Sequence, residues 1–383
     1  MTTHRLTTQQ ELEFTKRGFT RRHFGRIATL IGAGAALPFY NESALAQLSQ
    51  VKGMPADAIK INANENPLGP CAEAIEACHS VVKMGGRYSY ELTDEMRETL
   101  AAQEGLTPDM VQPFAGSSAP LTQSALAFSS PTKPFVTADP GYEAGERAAR
   151  YIGAKVIKVP LTKTYAHDVK AMVAADPNAG LIYICNPNNP SGTLTPPEDI
   201  EWVANNMPKG CVLLLDEAYI HIAGAPMRSD LIKAGKDVVI LRTFSKIYGM
   251  AGLRAGAAMG KPELLQKITP FSSGAMPITG MVAATASLKS PTVVPERRKI
   301  IGDVRKDVFA FMDAHGFKYV PSVSNKFMVD VGQPGNEVIM ALRKEKVYIG
   351  RVWASWPTYV RVSIGTQKEM DVFKKAFLKV MAA

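Results

Sequence analysis

Six short apolar runs recur through the middle of the sequence, and stretches with helical periodicity separate them. Each run is rich in Leu, Ala or β-branched residues and ends near a turn former or a polar residue. Strands of this kind are typical of a parallel sheet that helices cover on both faces. The pattern therefore predicts an α/β fold in three layers with a mostly parallel central sheet. The predicted strands are Phe135–Ala138, Lys155–Val159, Leu181–Cys185, Val212–Leu215, Val238–Leu241 and Ala255–Met259.

A region of mixed pattern follows residue 290. Residues 296–315 have the periodicity of one long amphipathic helix, which ends at Gly316. Three strand-like runs then follow, at Lys326–Val331, Val347–Gly350 and Tyr359–Ile364, and a final helix is predicted at Lys368–Met381. We therefore predict a smaller α+β domain at residues 291–383 beside a large domain at residues 71–290.

The first 46 residues have the layout of an export signal. The pair Arg21-Arg22 precedes an apolar, Gly-rich run at residues 27–37, and Ala44-Leu45-Ala46 supplies a small-x-small cleavage site. The arginine pair resembles that of a twin-arginine signal, which exports proteins already folded. We therefore predict cleavage near Ala46, a periplasmic location, the twin-arginine export machinery as a partner, and a mature chain that starts with an arm at residues 47–70. The alternative is an amphipathic surface helix that carries two arginines.

Composition excludes several classes of function. The net charge of +9 is not gathered into a basic run, so no nucleic-acid partner is predicted. The apolar run of the signal is shorter than the ~20 residues that a membrane helix needs, so no stable membrane anchor is expected. The four cysteines form no CxxC pair and have no histidine at zinc-ligand spacing, so neither a metal site nor a disulfide framework is predicted.

The segment Arg242–Arg254 carries the most chemistry in the sequence. It follows an apolar strand and holds Lys246 among hydroxyls and small residues. A lysine at a strand end can become nucleophilic, and its amine can then form a Schiff base with an aldehyde. Thr243, Ser245 and Arg254 would supply hydroxyls and a guanidinium to grip a phosphate. Taken alone, the pattern also fits a solvated lysine in a loop.

Two more polar motifs follow apolar strands upstream. Asp216 ends a buried strand at the sheet edge where ligands bind in open α/β folds, and Tyr219 lies three residues further on. Such an acid can keep a pyridinium nitrogen protonated, whereas Glu217 is predicted to point elsewhere. Asn189 lies in a Pro-rich turn, and a cis bond to Pro190 would fix a bend that aims its amide at a ligand. An ordinary loop is the alternative for that turn alone.

Together these motifs resemble the fold-type I pyridoxal-phosphate aminotransferases. The shared features are the Asn189-Pro-Ser-Gly turn, the Asp216-x-x-Tyr motif, and Lys246 with an arginine eight positions later. Within that superfamily, three segments are most similar to the histidinol-phosphate aminotransferase branch: Asn62–Gly69, Gly86–Tyr88 and Val360–Thr366. The resemblance runs from about Ile61 to the C-terminus, and several motifs occur in the expected order.

The resemblance implies a role for each matching residue. Lys246 would be the Schiff-base lysine and the base that moves the substrate proton. Asp216 would pair with the ring nitrogen, and Asn189 and Tyr219 would hydrogen-bond the 3′ oxygen of the cofactor. Arg361 would clamp the substrate carboxylate as a bidentate partner.

The remaining implied positions surround the cofactor and the substrate pocket. Tyr142 would stack on the ring, with a core tyrosine as the alternative. Tyr88 would reach the phosphate from the neighbouring subunit of a homodimer. Asn64 and Glu65 would line the substrate pocket, although a purely structural role suits them nearly as well. The phosphate would lie in a cup formed by Gly116, Ser117, Ser118, Thr243, Ser245 and Arg254.

The implied activity is the exchange of amino and keto groups between an amino acid and a 2-oxo acid, with pyridoxal phosphate as cofactor. A decarboxylase or lyase on the same fold is the alternative, because the cofactor stabilises whichever carbanion the site orients. A periplasmic ligand-binding protein that has kept the fold is a further alternative outside the enzymes.

Three departures from the branch concern the substrate. The phosphate cup lacks the acids that the branch carries after Gly116, and Tyr88 is followed by Ser89-Tyr90 instead of a proline and an acid. Trp353 and Trp356 lie in the stretch that would border the substrate, with simple packing as the alternative role. We therefore expect an amino acid substrate, preferably an aromatic one, with a compound like histidinol phosphate as the other choice.

Overall fold

The computed structural model describes residues 7–33, 53–271 and 274–382. The end of the predicted apolar run, the cleavage site Ala44-Leu45-Ala46 and the start of the predicted arm lie outside the described residues. The strands are β1 (Ile59–Ile61), β2 (Val111–Phe114), β3 (Phe135–Asp139), β4 (Val156–Pro160), β5 (Leu181–Cys185), β6 (Val212–Asp216), β7 (Val238–Thr243), β8 (Gly256–Gly260), β9 (Lys326–Asp330), β10 (Val347–Ile349) and β11 (Tyr359–Ser363).

A seven-stranded sheet forms the centre, in the order β2-β8-β7-β6-β5-β3-β4. Neighbours from β7 to β4 are parallel, and β8 alone runs antiparallel to both of its neighbours. Every residue of β5, β6, β7 and β8 is buried, so the sheet is covered on both faces. The predicted α/β class and all six predicted strands are confirmed, with ends that differ by one or two residues.

The sequence pattern missed β2, the strand at one edge of this sheet. It has four residues and contains Pro113, which cannot donate a ladder hydrogen bond. Proline is tolerated at an edge because only one side of the strand needs a partner. The apolar run is therefore too short and interrupted to predict a strand. In the structure, the pairing of Phe114 with Gly256 of β8 sets the register of β2.

Helices connect and cover the strands. The helix at Ile278–Lys289 packs on those at Ala72–Val81 and Tyr90–Glu104, and the last of these also contacts the edge strand β2. The helices are α1 (Thr8–Lys16), α2 (Arg21–Ala33), α3 (Ala72–Val81), α4 (Tyr90–Glu104), α5 (Ser118–Phe128), α6 (Ala144–Tyr151), α7 (Val169–Ala174), α8 (Pro197–Asn206), α9 (Ile220–Ala223), α10 (Ser229–Lys233), α11 (Pro262–Ile268), α12 (Ile278–Lys289), α13 (Val293–Ala314), α14 (Gly335–Lys344) and α15 (Gln367–Met381). No helix in these described ranges combines the length and apolar character that a membrane crossing requires.

The C-terminal region has the predicted mixed pattern. The long helix α13 buries Ile301, Val304, Val308 and Met312, which are three or four residues apart and so share one face. β9 and β11 form an antiparallel pair, and β10 pairs in parallel with β1 from the N-terminal arm. The arm is therefore tied to the smaller α+β region by a strand, although the predicted domain boundaries stay predictions.

The two helices that precede residue 34 lie against the body of the protein. Phe14, Phe19 and Ile27 are buried there. The Arg17 guanidinium closes the C-terminal end of α5, where unpaired carbonyls attract a cation. It donates hydrogen bonds of 2.9, 2.8 and 3.2 Å to the carbonyls of Leu126, Ala127 and Ser129. The described part of the predicted signal thus has a docked conformation, as a surface helix would, and export stays a prediction.

Candidate active site

Strand pairing brings polar residues together at one edge of the sheet, the edge at which the parallel strands β5, β6 and β7 end. Cys185 at the end of β5 is paired with Asp216 at the end of β6, and Asp216 with Leu241 near the end of β7. Thr243, Gly256 and Phe114 are aligned across β7, β8 and β2. Because all these positions lie at the same edge, the segments that follow or precede them converge there.

An anion cradle occupies one side of this edge. Gly116 has a φ of 91°, and a Cβ at this position would overlap the Arg254 guanidinium. Arg254 is held over the loop by donating to the Ala115 carbonyl at 3.2 Å and to the Ser245 hydroxyl at 3.5 Å. The Thr243 hydroxyl donates to Ser245 at 3.0 Å. Guanidinium and hydroxyls therefore surround one glycine turn.

Helix α5 begins at this turn and adds its amide groups. Ser117 precedes the helix and makes no side-chain cap hydrogen bond. The amides of the first helical turn thus add positive potential to the cradle that Arg254 completes. A phosphate fits this chemistry, so the structure brings together the six residues predicted for the phosphate cup.

Asp216 lies deep in the same edge, only 3% exposed. Its carboxylate accepts hydrogen bonds from the Tyr183 phenol at 3.0 Å and from the Ala218 amide at 3.1 Å. Burial raises the pKa of Asp216 to about 6, while these hydrogen bonds lower it. A buried carboxylate with this environment is suited to a cationic ring nitrogen, which would restore its ionised form.

Lys246 projects beside Asp216 in the partly buried space. Its Nζ lies 5.9 Å from the centroid of the Tyr219 ring and 3.5 Å from the Ala63 carbonyl. Lys246 and Tyr219, which were each predicted as site residues, are therefore close to each other. Glu217 turns away from them into an ion pair with Arg242 at 2.8 Å, as the sequence predicted.

The Tyr219 phenol is oriented by the N-terminal arm. The Asn64 Nδ2 donates to the phenol oxygen at 3.1 Å, and the Asn64 amide donates to the Ser363 hydroxyl at 2.8 Å. Because the phenol oxygen already accepts from Asn64, its own proton is free to point toward a ligand. Asn64 therefore joins the site. The Glu65 side chain is exposed, and its backbone carbonyl accepts a hydrogen bond from Asn325 at 3.3 Å.

Arg361 and Asn189 form a second polar cluster of the site, near Tyr219. Arg361 donates to the Asn189 Oδ1 at 3.1 Å and to the Asn62 carbonyl at 2.7 Å. The bond between Asn189 and Pro190 is cis, as the sequence suggested. Burial lowers the pKa of Arg361 to about 10, so the guanidinium stays charged at neutral pH. Its buried Nε has no hydrogen-bond partner among the described residues.

The two predicted tyrosines at the rim differ in position. Tyr142 is half-buried in the segment after β3 and interacts electrostatically with Tyr183 and Arg361, which places it in the site. Tyr88 is 70% exposed and stacks on Tyr90, with ring centroids 5.8 Å apart. The structure thus places Tyr88 on the surface of its own chain.

A wall of aromatic and charged groups borders Arg361. The Arg361 guanidinium lies 5.4 Å from the centroid of the Trp353 ring, and that of Arg351 lies 4.0 Å from it. Both carboxylate oxygens of Glu143 pair with Arg351. Trp353 is buried and donates from its indole to the Gly141 carbonyl at 2.9 Å. Arg351 therefore brings little free charge to this wall.

Sequence reasoning missed two residues that the structure places in the site. Tyr183 lies inside β5, where the sequence predicts only a buried strand. Lys326 is the first residue of β9 and is completely buried against Tyr219. Strand β9 is buried on both faces, so no alternation of polar and apolar residues marks Lys326 as inward-facing.

The residues present fit pyridoxal phosphate. A Cβ would fill the space at the Gly116 turn, which suits a phosphate, and the Asp216 carboxylate suits a ring nitrogen. Lys246 supplies an amine whose Nζ lies 5.9 Å from the centroid of the Tyr219 ring. No cluster of His, Cys, Asp or Glu in the described part of the chain could hold a metal ion. The turn, the carboxylate and the amine together suit the phosphate, the ring nitrogen and the aldehyde of this cofactor.

Comparison with known proteins decides the family. The model for aminotransferase class I and II matches residues 56–377. This chain belongs to the class I and II aminotransferases. Two similar curated proteins are a histidinol-phosphate aminotransferase of Moorella thermoacetica, 32% identical over 91% of this chain and 94% of that protein, and an aromatic amino acid aminotransferase of Cutibacterium acnes, 32% identical over 82% and 90%.

Solved structures agree with this assignment. A protein of Erwinia carotovora atroseptica described as a putative histidinol-phosphate aminotransferase has a TM-score of 0.79 at 29% identity, covering 83% of this chain and 94% of that one. A histidinol-phosphate aminotransferase of Sinorhizobium meliloti in complex with pyridoxal-5′-phosphate has a TM-score of 0.76 at 27% identity, covering 84% and 90%. The predicted fold type is confirmed.

This aminotransferase is a transaminase, which moves an amino group between an amino acid and a 2-oxo acid. The family and the fit of the site residues both support pyridoxal phosphate as its cofactor. The decarboxylase or lyase alternative is not favoured, because the matched proteins are named aminotransferases.

Proposed function

We propose that this enzyme transaminates an aromatic amino acid in the periplasm, as a homodimer that leaves the cytoplasm by the twin-arginine route. The observation that supports an aromatic substrate is the wall of aromatic and charged groups at Trp353. Arg361 remains available there for a carboxylate, while Glu143 neutralises Arg351. Such a wall favours one carboxylate and an apolar ring over a second anionic group.

The cofactor's phosphate would lie on the Gly116 turn against Arg254. When bound, pyridoxal phosphate supplies a carbon that links to amines and a ring that accepts the electron pair left on the substrate's α carbon. Lys246 would take the proton from that carbon and return it to the other side of the linkage. Asp216 would hold a proton on the ring nitrogen. Asn189 and Tyr219 would donate to the 3′ oxygen.

Arg361 would bind the α-carboxylate of either substrate. Its Nε is buried with no hydrogen-bond partner among the described residues, and Asn189 fixes one of its terminal nitrogens. A planar guanidinium held in this way matches the two oxygens of a carboxylate. Both amino acid and 2-oxo acid carry that group, so one clamp serves both halves of the reaction.

A screen of single amino donors tests the substrate. The full-length enzyme, loaded with pyridoxal phosphate, would be mixed with one donor and no 2-oxo acid, and the loss of its visible absorption would be timed. We expect phenylalanine, tyrosine or tryptophan to react about tenfold or more faster than alanine, the size of effect that a side-chain pocket gives. A faster reaction with histidinol phosphate than with every aromatic donor would contradict the proposal.

A second copy of the chain is proposed to cover the exposed apolar surface between residues 68 and 90. Large apolar side chains are exposed along this segment, and a patch of this kind marks a protein interface. They are Leu68, Ile75, Val82, Met84, Tyr88 and Tyr90. The exposed Tyr88 would then reach the partner's phosphate cup.

Sedimentation of the purified enzyme tests the dimer. We expect a dimer for the natural sequence and a shift toward monomer for Met84→Glu, because a buried charge in the interface is costly. Met340→Glu is the matched control, since Met340 is also exposed but lies on α14. Equal behaviour of the two variants would remove residues 68–90 from the interface.

The export route has its own test. Changing Arg21 and Arg22 together to lysine should leave the precursor in the cytoplasm, whereas Lys16→Arg, a matched basic exchange in α1, should not. Fractionation of cells followed by detection of precursor and mature chain measures both. Unchanged processing of the lysine pair would point to another route, and an unprocessed natural chain would favour the surface-helix alternative.

A further inference from the structure

Lys326 is a fully buried lysine in the active site of this aminotransferase, and the reaction described above gives it no task. Its Nζ lies 3.1 Å from the centroid of the Tyr219 ring and donates to the Ser324 hydroxyl at 3.0 Å. No carboxylate in the described part of the chain lies within 4 Å of this nitrogen. A lysine buried without a carboxylate is rare, because it loses its hydration without an ion pair in return.

The groups around Lys326 define its electrostatic setting. Burial lowers the pKa of Lys326 well below its ordinary value, and the charges of Arg361 and Lys246 act in the same direction. Cys185 and Asp216 act in the opposite direction. The nitrogen carries two hydrogens when it is neutral and three when it is charged. Ser324 accepts one of them, so at least one N–H remains near the face of the Tyr219 ring.

The contact also joins two parts of the molecule. Lys326 begins β9, which pairs with β11 in the C-terminal region, and Tyr219 follows β6 of the central sheet. Asn64, which donates to the Tyr219 phenol, is held by Ser363 of β11. Two side chains that depend on the C-terminal strands therefore orient one tyrosine of the large sheet.

We propose that Lys326 is a positioning residue that acts through Tyr219 on the 3′ oxygen of pyridoxal phosphate. Its N–H groups lie over the π electrons of the ring, and an N–H that points at an aromatic face is attracted to it. Electron density drawn toward Lys326 makes the phenol a stronger hydrogen-bond donor. Because Asn64 already donates to the phenol oxygen, that strengthened proton is directed to the cofactor.

The variant Lys326→Met tests this role, since methionine keeps most of the length and volume but has no N–H. The full-length enzyme loaded with pyridoxal phosphate would be titrated with acid and base while its visible absorption band is recorded. If Tyr219 is a weaker donor, more negative charge stays on the 3′ oxygen. That charge favours the protonated form of the bond between Lys246 and the cofactor. We expect the midpoint of the spectral change to rise by about 0.5 to 1 pH unit, a three- to tenfold change in proton affinity.

Lys326→Gln is the companion variant, because its amide keeps N–H groups near the ring. Its midpoint should lie between those of the natural enzyme and Lys326→Met. Cofactor content, measured by release in alkali, separates a failure to bind from a change of midpoint. Failure of both variants to hold the cofactor would make Lys326 a structural residue and overturn the proposal. An unchanged midpoint in a fully loaded Lys326→Met enzyme would overturn it as well.

The Tyr219→Phe background shows whether the effect passes through the phenol. If Lys326 acts through Tyr219, adding Lys326→Met to Tyr219→Phe should move the midpoint much less than it does in the natural enzyme. The same shift in both backgrounds would mean that Lys326 acts on the linkage directly, and the proposed route would be wrong. This readout does not depend on the amino donor, the export route or the dimer.

Discussion

The two halves of the active site are held in different ways. On the cofactor side, Asp216 and Thr243 are the last residues of parallel strands, and Ser118 is the first residue of a helix. On the proposed substrate side, Arg361 depends on Asn189 and on the carbonyl of Asn62, which lies 299 residues before Arg361 in the sequence. Backbone register positions the first half, and contacts between distant segments position the second.

This difference separates the parts of the site that can change. Moving Asp216 would require a new register for β5, β6 and β7, all of which are buried. Replacing Trp353 or Arg351 would alter one wall while the sheet stays as it is. We infer that the substrate can diverge within this fold at lower cost than the cofactor, and variants on the two sides should separate these properties.

The largest expected effect is on the cofactor side, at Lys246. Lys246→Ala removes the amine that we propose moves the substrate proton, and the turnover number should fall by at least about a thousandfold, within the range for general acid–base groups and covalent catalysis. Pyridoxal phosphate should still bind, because the Gly116 cradle and Asp216 are unchanged. Steady-state turnover and cofactor content measure the two properties. Retained turnover would remove Lys246 from the reaction.

The next effect tests the substrate side. Arg361→Ala should raise the KM for amino acid and 2-oxo acid about a hundredfold, since charged hydrogen bonds contribute roughly 1.5 to 3 kcal/mol each. The affinity for pyridoxal phosphate should change much less. Arg343→Ala, on α14, is the control for loss of an arginine outside the site. Equal losses of substrate and cofactor affinity in Arg361→Ala would contradict the division into two halves.

The cofactor half could be predicted well from sequence, for a physical reason. Parallel strands that are buried on both faces are continuous apolar runs, and ligands bind where such strands end. Asp216, Thr243 and Asn189 therefore stand out as polar residues within about four positions after those runs. The strand β2 escaped because Pro113 interrupts it, and its role in placing Gly116 became visible only through its pairing with β8.

The contacts between distant segments could not be predicted to the same depth. Lys326 and Ser363 pair across β9 and β11, and their meeting with Tyr219 depends on how the C-terminal region packs on the sheet. No local pattern encodes that contact. The sequence likewise shows Arg351 two residues before Trp353, but only the fold shows that Arg351 pairs with Glu143. The docking of Arg17 on α5 belongs to the same class of long-range contact.

A smaller effect is expected at the phosphate cradle. Gly116→Ala places a Cβ against the Arg254 guanidinium at a left-handed φ, so the loop or the arginine must shift. We expect cofactor affinity to fall about ten- to a hundredfold, the result of a cost of roughly 1 to 3 kcal/mol. Gly252→Ala is the matched control, because a Cβ there meets no atom within 4 Å. Titration of the cofactor-free enzyme measures both, and equal affinities would exclude Gly116 from the cradle.

The smallest effect distinguishes packing from recognition at the aromatic wall. Trp356 is half-buried and lies 5.6 Å from the Tyr165 ring and 5.0 Å from the Tyr359 ring, measured between centroids. If it contacts an aromatic substrate, Trp356→Leu should lower kcat/KM for aromatic donors about three- to tenfold, the value of one aromatic pair. The kcat/KM for alanine should stay nearly constant.

The third tryptophan of the chain provides the control for this last variant. Trp202 lies on α8 and packs on the hydrophobic core, so Trp202→Leu should reduce stability without changing the preference among donors. If Trp356→Leu behaves like Trp202→Leu, the residue only packs, and the substrate preference must come from Trp353 or Tyr142. If the ratio of aromatic to alanine activity falls in Trp356→Leu alone, the wall contacts the side chain of the donor and selects it. A single residue then changes the substrate preference without changing the cofactor half.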